Sequence, residues 1–127
     1  MKDKETNLEQ LRQMVLNFRD ERDWAKHHTP KNLSISIAIE AAELLENFQW
    51  GSYSVADKKS AKDELADILI YSLYLSDALD MDIAKEVKKK IDKAKKKYPK
   101  SIFNADSDKA EDYWTIKQRY RGSPGKK

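Results

Sequence analysis

The amino-acid sequence predicts an all-α fold, and three observations support this class. Only three glycines and three prolines occur among 127 residues, so the chain has few of the residues that interrupt helices. Alanine, leucine, glutamate and lysine, which favour helices, are abundant. Apolar residues recur three and four positions apart over long stretches, which is typical of amphipathic helices. We therefore expect a bundle of four long helices that are joined by short turns.

The first two predicted helices meet at a break in the apolar pattern. Helix 1 is expected from Asn7 to about Trp24. Thr29 is then a suitable N-cap residue, and Pro30 suits the first position of a helix because its missing N–H is not needed there. We expect helix 2 to continue from this point to about Gln49. The apolar residues that define helix 1 are Leu8, Leu11, Met14, Val15 and Phe18.

Two further helices follow a turn that contains Gly51, a residue that commonly ends helices. Helix 3 is expected from about Val55 to Leu79, with most of its apolar residues in the second half. Helix 4 is expected from about Ile83 to Lys97, and Pro99 lies directly beyond its end. These helices complete a domain that spans residues 1–99.

Residues 100–127 form a basic C-terminal tail with weak apolar periodicity. Its polar composition buries little apolar surface, so we expect the tail to be partly disordered or to dock on a neighbouring subunit. The residues available for docking, either on the body of the protein or on a neighbouring subunit, are Tyr113, Trp114, Ile116 and Tyr120. The simpler alternative is that they form a short tethered turn of helix.

Composition excludes several classes of protein. The absence of cysteine excludes disulfide scaffolds, thiol catalysis and zinc–thiolate sites. No apolar run approaches the length of a membrane span, and no secretory segment is evident, so we expect a cytoplasmic protein without a membrane partner. The net charge of +3 is modest and does not by itself indicate nucleic-acid binding.

Two pairs of carboxylates interrupt the apolar pattern of helices 2 and 3. At about 100° per residue, Glu40 and Glu43 lie on one narrow stripe of helix 2 between apolar neighbours. Glu64 and Asp67 repeat the same spacing on helix 3, and Tyr71 extends that stripe by one turn. Because consecutive helices joined by a short turn pack antiparallel, we expect the two stripes to face each other.

Four facing carboxylates raise one another's pKa values unless a cation compensates their charge. Oxygen ligands without cysteine or histidine favour hard divalent ions, so the sequence predicts a site for Mg²⁺, with Mn²⁺ as the alternative. The competing interpretation is that the carboxylates are partly exposed and form salt bridges to lysine and arginine side chains. It accounts well for one such pair and poorly for two matched pairs on consecutive apolar helices.

The carboxylate motifs resemble the ExxE…ExxD signature of the MazG-like all-α nucleotide pyrophosphohydrolases. The motifs here are EAAE, from Glu40 to Glu43, and ELAD, from Glu64 to Asp67. Further segments match the dCTP pyrophosphatase branch of that family in order and spacing, over about residues 8–99. These segments are RDW (Arg22 to Trp24), HTPKNL (His28 to Leu33), FQW (Phe48 to Trp50), ADILIY (Ala66 to Tyr71) and KIDKAKKKYP (Lys90 to Pro99).

The resemblance implies a Mg²⁺-dependent enzyme that hydrolyses a nucleoside triphosphate, dCTP or a related or modified nucleotide, to the monophosphate and pyrophosphate. It also implies a homo-oligomer, either a dimer or a tetramer, with its sites near subunit interfaces. Trp24 and Trp50 match residues that line the base and sugar pocket, and Tyr71 and Lys90 match residues near the triphosphate. The matching catalytic residues and metal ligands are Glu40, Glu43, Glu64 and Asp67.

Two positions depart from the pattern of that branch. Val15 stands where some relatives have histidine, and Ala94 stands where close relatives commonly have asparagine. Loss of two polar groups weakens discrimination by hydrogen bonds, so we do not expect dCTP as the sole substrate. His27 and His28 precede helix 2 and lie off the carboxylate stripe, so we expect a capping or surface role for both.

Two rival interpretations fit the sequence less well. A non-enzymatic module that binds nucleic acid or a partner through the lysine-rich helix 4 and the basic tail leaves the paired carboxylates unexplained, so no stable nucleic-acid partner is expected. A di-iron carboxylate bundle requires Glu-x-x-His motifs on two helices, and the sequence contains none.

Overall fold

The computed structural model describes residues 1–51, 55–103 and 110–122, and every regular element in these ranges is helical. The predicted all-α class is confirmed. None of the described helices is both long and apolar enough to cross a membrane. Within these ranges a 3₁₀ turn spans Ala25–His27, and the α-helices are α1 (Leu8–Asp20), α2 (Pro30–Glu46), α3 (Val55–Ala78), α4 (Ile83–Lys97) and α5 (Ala110–Arg121).

The chain divides into two units, Met1–Met81 with α1 to α3 and Asp82–Lys127 with α4 and α5. In the first unit, α2 packs along α3, and α1 also contacts α3. Arg19 connects the ends of two helices, because its guanidinium donates to Asp20 on α1 at 2.7 Å and to Asp77 on α3 at 2.8 Å. The buried apolar residues of this unit are Val15, Leu16, Leu33, Leu73 and Tyr74.

Local capping explains where α2 and α4 begin. The Thr29 hydroxyl accepts a hydrogen bond from the Asn32 N–H at 3.2 Å, and Pro30 is the first residue of α2, as the sequence predicted. The Asp82 carboxylate accepts from the Lys85 N–H at 3.0 Å, so α4 begins at the next residue after Asp82. The bounds of α4 are those predicted from the sequence.

Helix α1 ends four residues earlier than predicted, at Asp20 instead of Trp24. Asp23 has a φ of 53°, in the left-handed region. The Trp24 N–H donates to the Arg19 carbonyl at 3.1 Å, and the Asp23 N–H donates to the Asp20 carbonyl at 3.1 Å. These two bonds form a Schellman motif, which usually has glycine at the left-handed position. Because aspartate takes the place of this glycine, the sequence lacks the usual signal for the end of the helix.

The C-terminal end of α3 repeats this arrangement. Asp80 has a φ of 51°. The Met81 N–H donates to the Ser76 carbonyl at 2.8 Å, and the Asp80 N–H donates to the Asp77 carbonyl at 3.0 Å. Two helices of the first unit therefore end in Schellman motifs with aspartate in the left-handed position.

The second unit contains a helix that is longer than the short helical turn expected in the tail. Part of the tail, Ala110–Arg121, forms α5, and the Tyr113 ring stacks on Tyr98 with centroids 5.1 Å apart. The Lys97 ammonium lies 4.7 Å from the ring centroid of Tyr120. Tyr113, Ile116 and Tyr120 have helical spacing, but the polar residues around them obscured this pattern. Docking of the tail on a neighbouring subunit stays a prediction.

The left-handed conformation of Asp80 predicts how substitutions there affect stability. Asp80→Val is expected to lower the free energy of unfolding by about 1–2 kcal/mol, because a β-branched side chain is disfavoured in this region. Asp80→Gly is expected to leave it within about 0.5 kcal/mol of wild type, because glycine adopts this conformation freely. Urea denaturation followed by circular dichroism measures both values. Equal losses for both variants would contradict the conformational explanation.

Candidate active site

The carboxylates of α2 lie near its C-terminal end, in a stripe that also contains Ser36 and Asn47. Glu40 is half-buried, whereas Glu43 is exposed. Asn47 ends the helix, because its side-chain amide donates to the carbonyls of Glu43 at 3.2 Å and Leu44 at 3.3 Å. Helix α2 therefore stops at Glu46, three residues before the predicted end, and residues 47–50 form a turn.

Helix α3 places Glu64 and Asp67, both half-buried, on successive turns. The carboxylates of Glu40, Glu43 and Glu64 each offer one oxygen, and these oxygens lie within 4.8 Å of one another. The predicted stripes of α2 and α3 therefore face each other in the structure. Asp67 lies outside this group of three, but its negative charge contributes to the raised pKa values of Glu40 and Glu64.

Two oxygens of this carboxylate cluster are buried without a hydrogen-bond partner among the described residues. They are Oε2 of Glu40 and Oε2 of Glu64. Burial, followed by the neighbouring Glu43 and Glu64 carboxylates, raises the pKa of Glu40 to about 7. Burial is also the main cause that raises the pKa of Glu64 above its ordinary value. The cluster thus holds more negative charge than its own hydrogen bonds compensate.

This donor set fits a hard divalent cation. Glu40, Glu43 and Glu64 present carboxylate oxygens at mutual distances that a single ion can bridge. The two orphaned oxygens need a positively charged or hydrogen-donating partner, and the ion pairs found among the described residues lie elsewhere. The alternative of salt bridges to lysine or arginine therefore has no support at these three residues.

The two predicted tryptophans lie outside the helices that carry the carboxylates, whereas Tyr71 lies on one of them. Trp24 follows α1 and is 43% exposed, and Trp50 follows α2 and is 89% exposed. Tyr71 lies on α3 one turn beyond Asp67 and packs edge-to-face against Tyr74, with ring centroids 6.2 Å apart. Exposed indoles offer surface for a stacked base.

The remaining predicted residues lie on α1 and α4, not on the helices that carry the carboxylates. Lys90 and Ala94 are exposed on α4, in the second unit. Val15 is buried in the core of the first unit. The roles of Lys90 near the triphosphate and of Val15 and Ala94 in base selection stay predictions.

The two histidines take no part in the carboxylate cluster. The His27 carbonyl accepts a hydrogen bond from the Asn32 side chain at 3.0 Å. The His28 ring packs on Tyr74 with centroids 4.8 Å apart, and burial lowers the pKa of His28. Sequence reasoning missed this packing role, because a histidine next to a proline turn carries no signal of burial.

Sequence reasoning also missed the contact between Phe18 and Trp24, whose ring centroids lie 5.5 Å apart in an edge-to-face arrangement. Phe18 was assigned to the apolar stripe of helix 1. The sequence RDW places aspartate directly before tryptophan near the end of helix 1. The contact between Phe18 and Trp24 follows from these residues only if Asp23 is known to adopt the left-handed conformation.

Comparisons with known proteins agree with these motifs. A family model described as MazG-like matches residues 35–113. The protein named dCTP pyrophosphatase 1 from Homo sapiens is 32% identical over 113 residues, which cover 83% of this chain and 66% of that protein. The Bos taurus protein of the same name is 34% identical over 103 residues, which cover 75% of this chain and 61% of that protein. The chain thus spans less than two thirds of the length of these relatives.

A solved structure shares the fold. It is a pyrophosphatase from Archaeoglobus fulgidus, with 44% sequence identity and a TM-score of 0.66. The match covers 72% of this chain and 92% of that one.

The raised pKa of Glu40 predicts how the metal-free protein responds to pH. Between its ordinary value of 4.5 and about 7, the folded protein binds a proton that the unfolded chain releases. The stabilisation is therefore complete below about pH 4.5 and is lost as pH rises through 7. In EDTA, the melting temperature is expected to fall between pH 5 and pH 8, and Glu40→Gln is expected to flatten this dependence.

Differential scanning calorimetry of both proteins over this pH range measures the effect, with Glu46→Gln on the same helix as the control. Added Mg²⁺ is expected to raise the melting temperature of the wild type most at the alkaline end, where Glu40 is ionised. An unchanged pH dependence in Glu40→Gln would show that the carboxylate cluster is not its source.

Proposed function

This chain belongs to the MazG-like family, and we propose that it is a Mg²⁺-dependent nucleoside triphosphate pyrophosphohydrolase. The supporting observation is the convergence of Glu40, Glu43 and Glu64, with two buried carboxylate oxygens that lack a partner. The names of the curated relatives support dCTP, or a related or modified nucleotide, as the substrate. Removal of such nucleotides from the cellular pool is the proposed role.

The reaction requires a water molecule to attack the α-phosphorus while the bond to the bridging oxygen of the β-phosphate breaks. When bound, Mg²⁺ would neutralise part of the triphosphate charge and activate the water molecule. Glu40, Glu43 and Glu64 would hold the ion, and Asp67, on the next turn of α3, is proposed as a fourth ligand. A carboxylate oxygen of this cluster would accept the proton of the attacking water. The products are the nucleoside monophosphate and pyrophosphate.

Aromatic stacking provides the proposed base recognition. Trp24 and Trp50 are both exposed to solvent, and a base stacked on an aromatic ring gains about 1–3 kcal/mol with little dependence on its identity. Val15 and Ala94 supply no hydrogen bonds to base edges. The enzyme is therefore proposed to accept several deoxynucleoside triphosphates. Tyr71 and Lys90 are proposed to contact the triphosphate.

We also propose that the enzyme is a homo-oligomer. Helix α2 exposes an apolar face in which Ile35, Ile39 and Leu45 are each about half exposed or more. On α3, Leu65 and Leu69 are similarly exposed. Apolar surface of this extent on adjacent helices favours a protein partner over water, and a second copy of the chain is the simplest partner.

Substitution of one metal ligand tests the proposed activity. Glu43→Gln preserves the shape of an exposed side chain but removes its charge, so kcat for pyrophosphate release is expected to fall about 100-fold or more. The helical circular dichroism is expected to stay unchanged. Pyrophosphate release from four deoxynucleoside triphosphates, with Mg²⁺ and with EDTA, measures the effect.

Glu46→Gln is the matched control, because it removes the same charge one turn further along α2 and outside the carboxylate cluster. Wild-type turnover in Glu43→Gln would refute the metal-site assignment. Salt-sensitive nucleic-acid binding by a wild-type protein without turnover would instead favour the basic binding module.

Substitution on the exposed face of α2 tests the proposed assembly. Ile39→Lys places a charge in the apolar face, so the molar mass at micromolar concentration is expected to shift toward the monomer. Light scattering coupled to size-exclusion chromatography measures it. Gln13→Lys on α1 adds the same charge at an exposed polar position and serves as the control. A wild type that is fully active as a monomer would contradict the proposal.

A further inference from the structure

The turn that ends α1 fixes the backbone of Trp24. Asp23 adopts the left-handed conformation, and the next N–H, that of Trp24, donates to the Arg19 carbonyl at 3.1 Å. The Asp23 side chain is ion-paired with Lys26 at 2.7 Å, which adds an exposed link across the same turn. The residue with the exposed indole is therefore held by a defined motif instead of a free loop.

The indole itself rests on a second aromatic ring. Phe18 and Trp24 meet edge-to-face, with ring centroids 5.5 Å apart and planes at 77°. The guanidinium of Arg22 lies 3.8 Å from the centroid of the Phe18 ring, and its Nη1 donates to the Phe18 carbonyl at 3.0 Å. A hydrophobic contact between the residue after the left-handed position and a residue five or six positions earlier commonly accompanies this motif.

Both rings remain accessible despite these contacts. Phe18 is 45% exposed and Trp24 is 43% exposed, so the pair adds little to the buried core of the first unit. The backbone of Trp24 and one contact of its ring are already fixed, while much of the ring surface stays open. The side chain therefore loses little conformational entropy when a ligand stacks on it. This arrangement suits a preorganised binding surface.

We infer that Asp23 and Phe18 are positioning residues that hold the Trp24 indole in the orientation that receives the nucleobase. The inference rests on the proposed function, in which Trp24 stacks on the base of the triphosphate. Asp23 acts through the backbone direction that it gives to Trp24, and Phe18 acts through ring contact. Neither residue belongs to the carboxylate cluster, so their loss weakens nucleotide binding and leaves the chemical step intact.

The chain contains its own control for the backbone effect. Asp80 adopts the same left-handed conformation at the end of α3, with the same two hydrogen bonds around it. The residue that follows is Met81, which offers no aromatic ring. Asp80→Val therefore perturbs an equivalent motif in which the following residue carries no indole.

The test measures KM and kcat separately for the deoxynucleoside triphosphate that the wild type hydrolyses best. Asp23→Val is expected to raise KM about tenfold with kcat within about twofold of wild type, because valine disfavours the left-handed conformation. Asp23→Gly is expected to restore the wild-type KM, although it removes the ion pair with Lys26. Phe18→Leu, which keeps apolar volume but removes the ring, is expected to raise KM about five- to tenfold. Asp80→Val is expected to leave KM unchanged.

Several outcomes would overturn the inference. The inference is wrong if Asp23→Val and Phe18→Leu both keep the wild-type KM. It is also wrong if Asp80→Val raises KM as much as Asp23→Val does, or if Asp23→Gly raises KM as much as Asp23→Val does. Trp24→Ala separates this failure from failure of the proposed function. If Trp24→Ala raises KM while Asp23→Val and Phe18→Leu do not, base stacking stands and the positioning role falls; if the wild type hydrolyses no triphosphate, the proposed function itself falls.

Discussion

The close approach of carboxylates between α2 and α3 is the interaction on which the site depends. Oxygens of Glu40, Glu43 and Glu64 lie within 4.8 Å of one another, and two oxygens in this group are buried without a partner. Like charges at this distance repel, so the contact between the two helices must outweigh that repulsion. A proton relieves the repulsion in the metal-free protein, and in the proposed enzyme a divalent cation relieves it at neutral pH. The same carboxylates therefore connect stability, proton uptake and metal binding.

Only some of the large apolar residues of the first unit are buried, and many others are exposed. The fully buried positions come mainly from the middle of α1, the start of α2 and the second half of α3, with Leu33 only 1% exposed. Ile39, Leu65 and Leu69 remain open to solvent. In the proposed oligomer these residues are covered, so subunit association and folding share one apolar surface. The carboxylate cluster then lies on helices whose stability depends on assembly.

The helices and the facing carboxylate stripes were predictable, because both follow from side-chain spacing. Thr29 and Pro30 marked the start of α2, and Glu40 and Glu64 marked the sides of the helices that meet. Asp67 was expected in the same group but lies outside the set of three. The end of α1 was not predictable from apolar spacing, since the left-handed conformation of Asp23 depends on backbone hydrogen bonds. Burial of the His28 ring depends on packing against Tyr74, which no local pattern encodes.

The division of the site between helices and turns has an evolutionary consequence. The carboxylates lie on α2 and α3, where moving one residue alters the register of an entire packed helix. Trp24 and Trp50 lie in turns after helices, where backbone changes remain local. In the proposed enzyme, mutations that introduce hydrogen-bonding side chains into these turns alter nucleotide preference while the hydrolytic chemistry persists. Descendants of one ancestral pyrophosphohydrolase can thus acquire different substrates through drift in a few turn residues, without passing through an inactive intermediate.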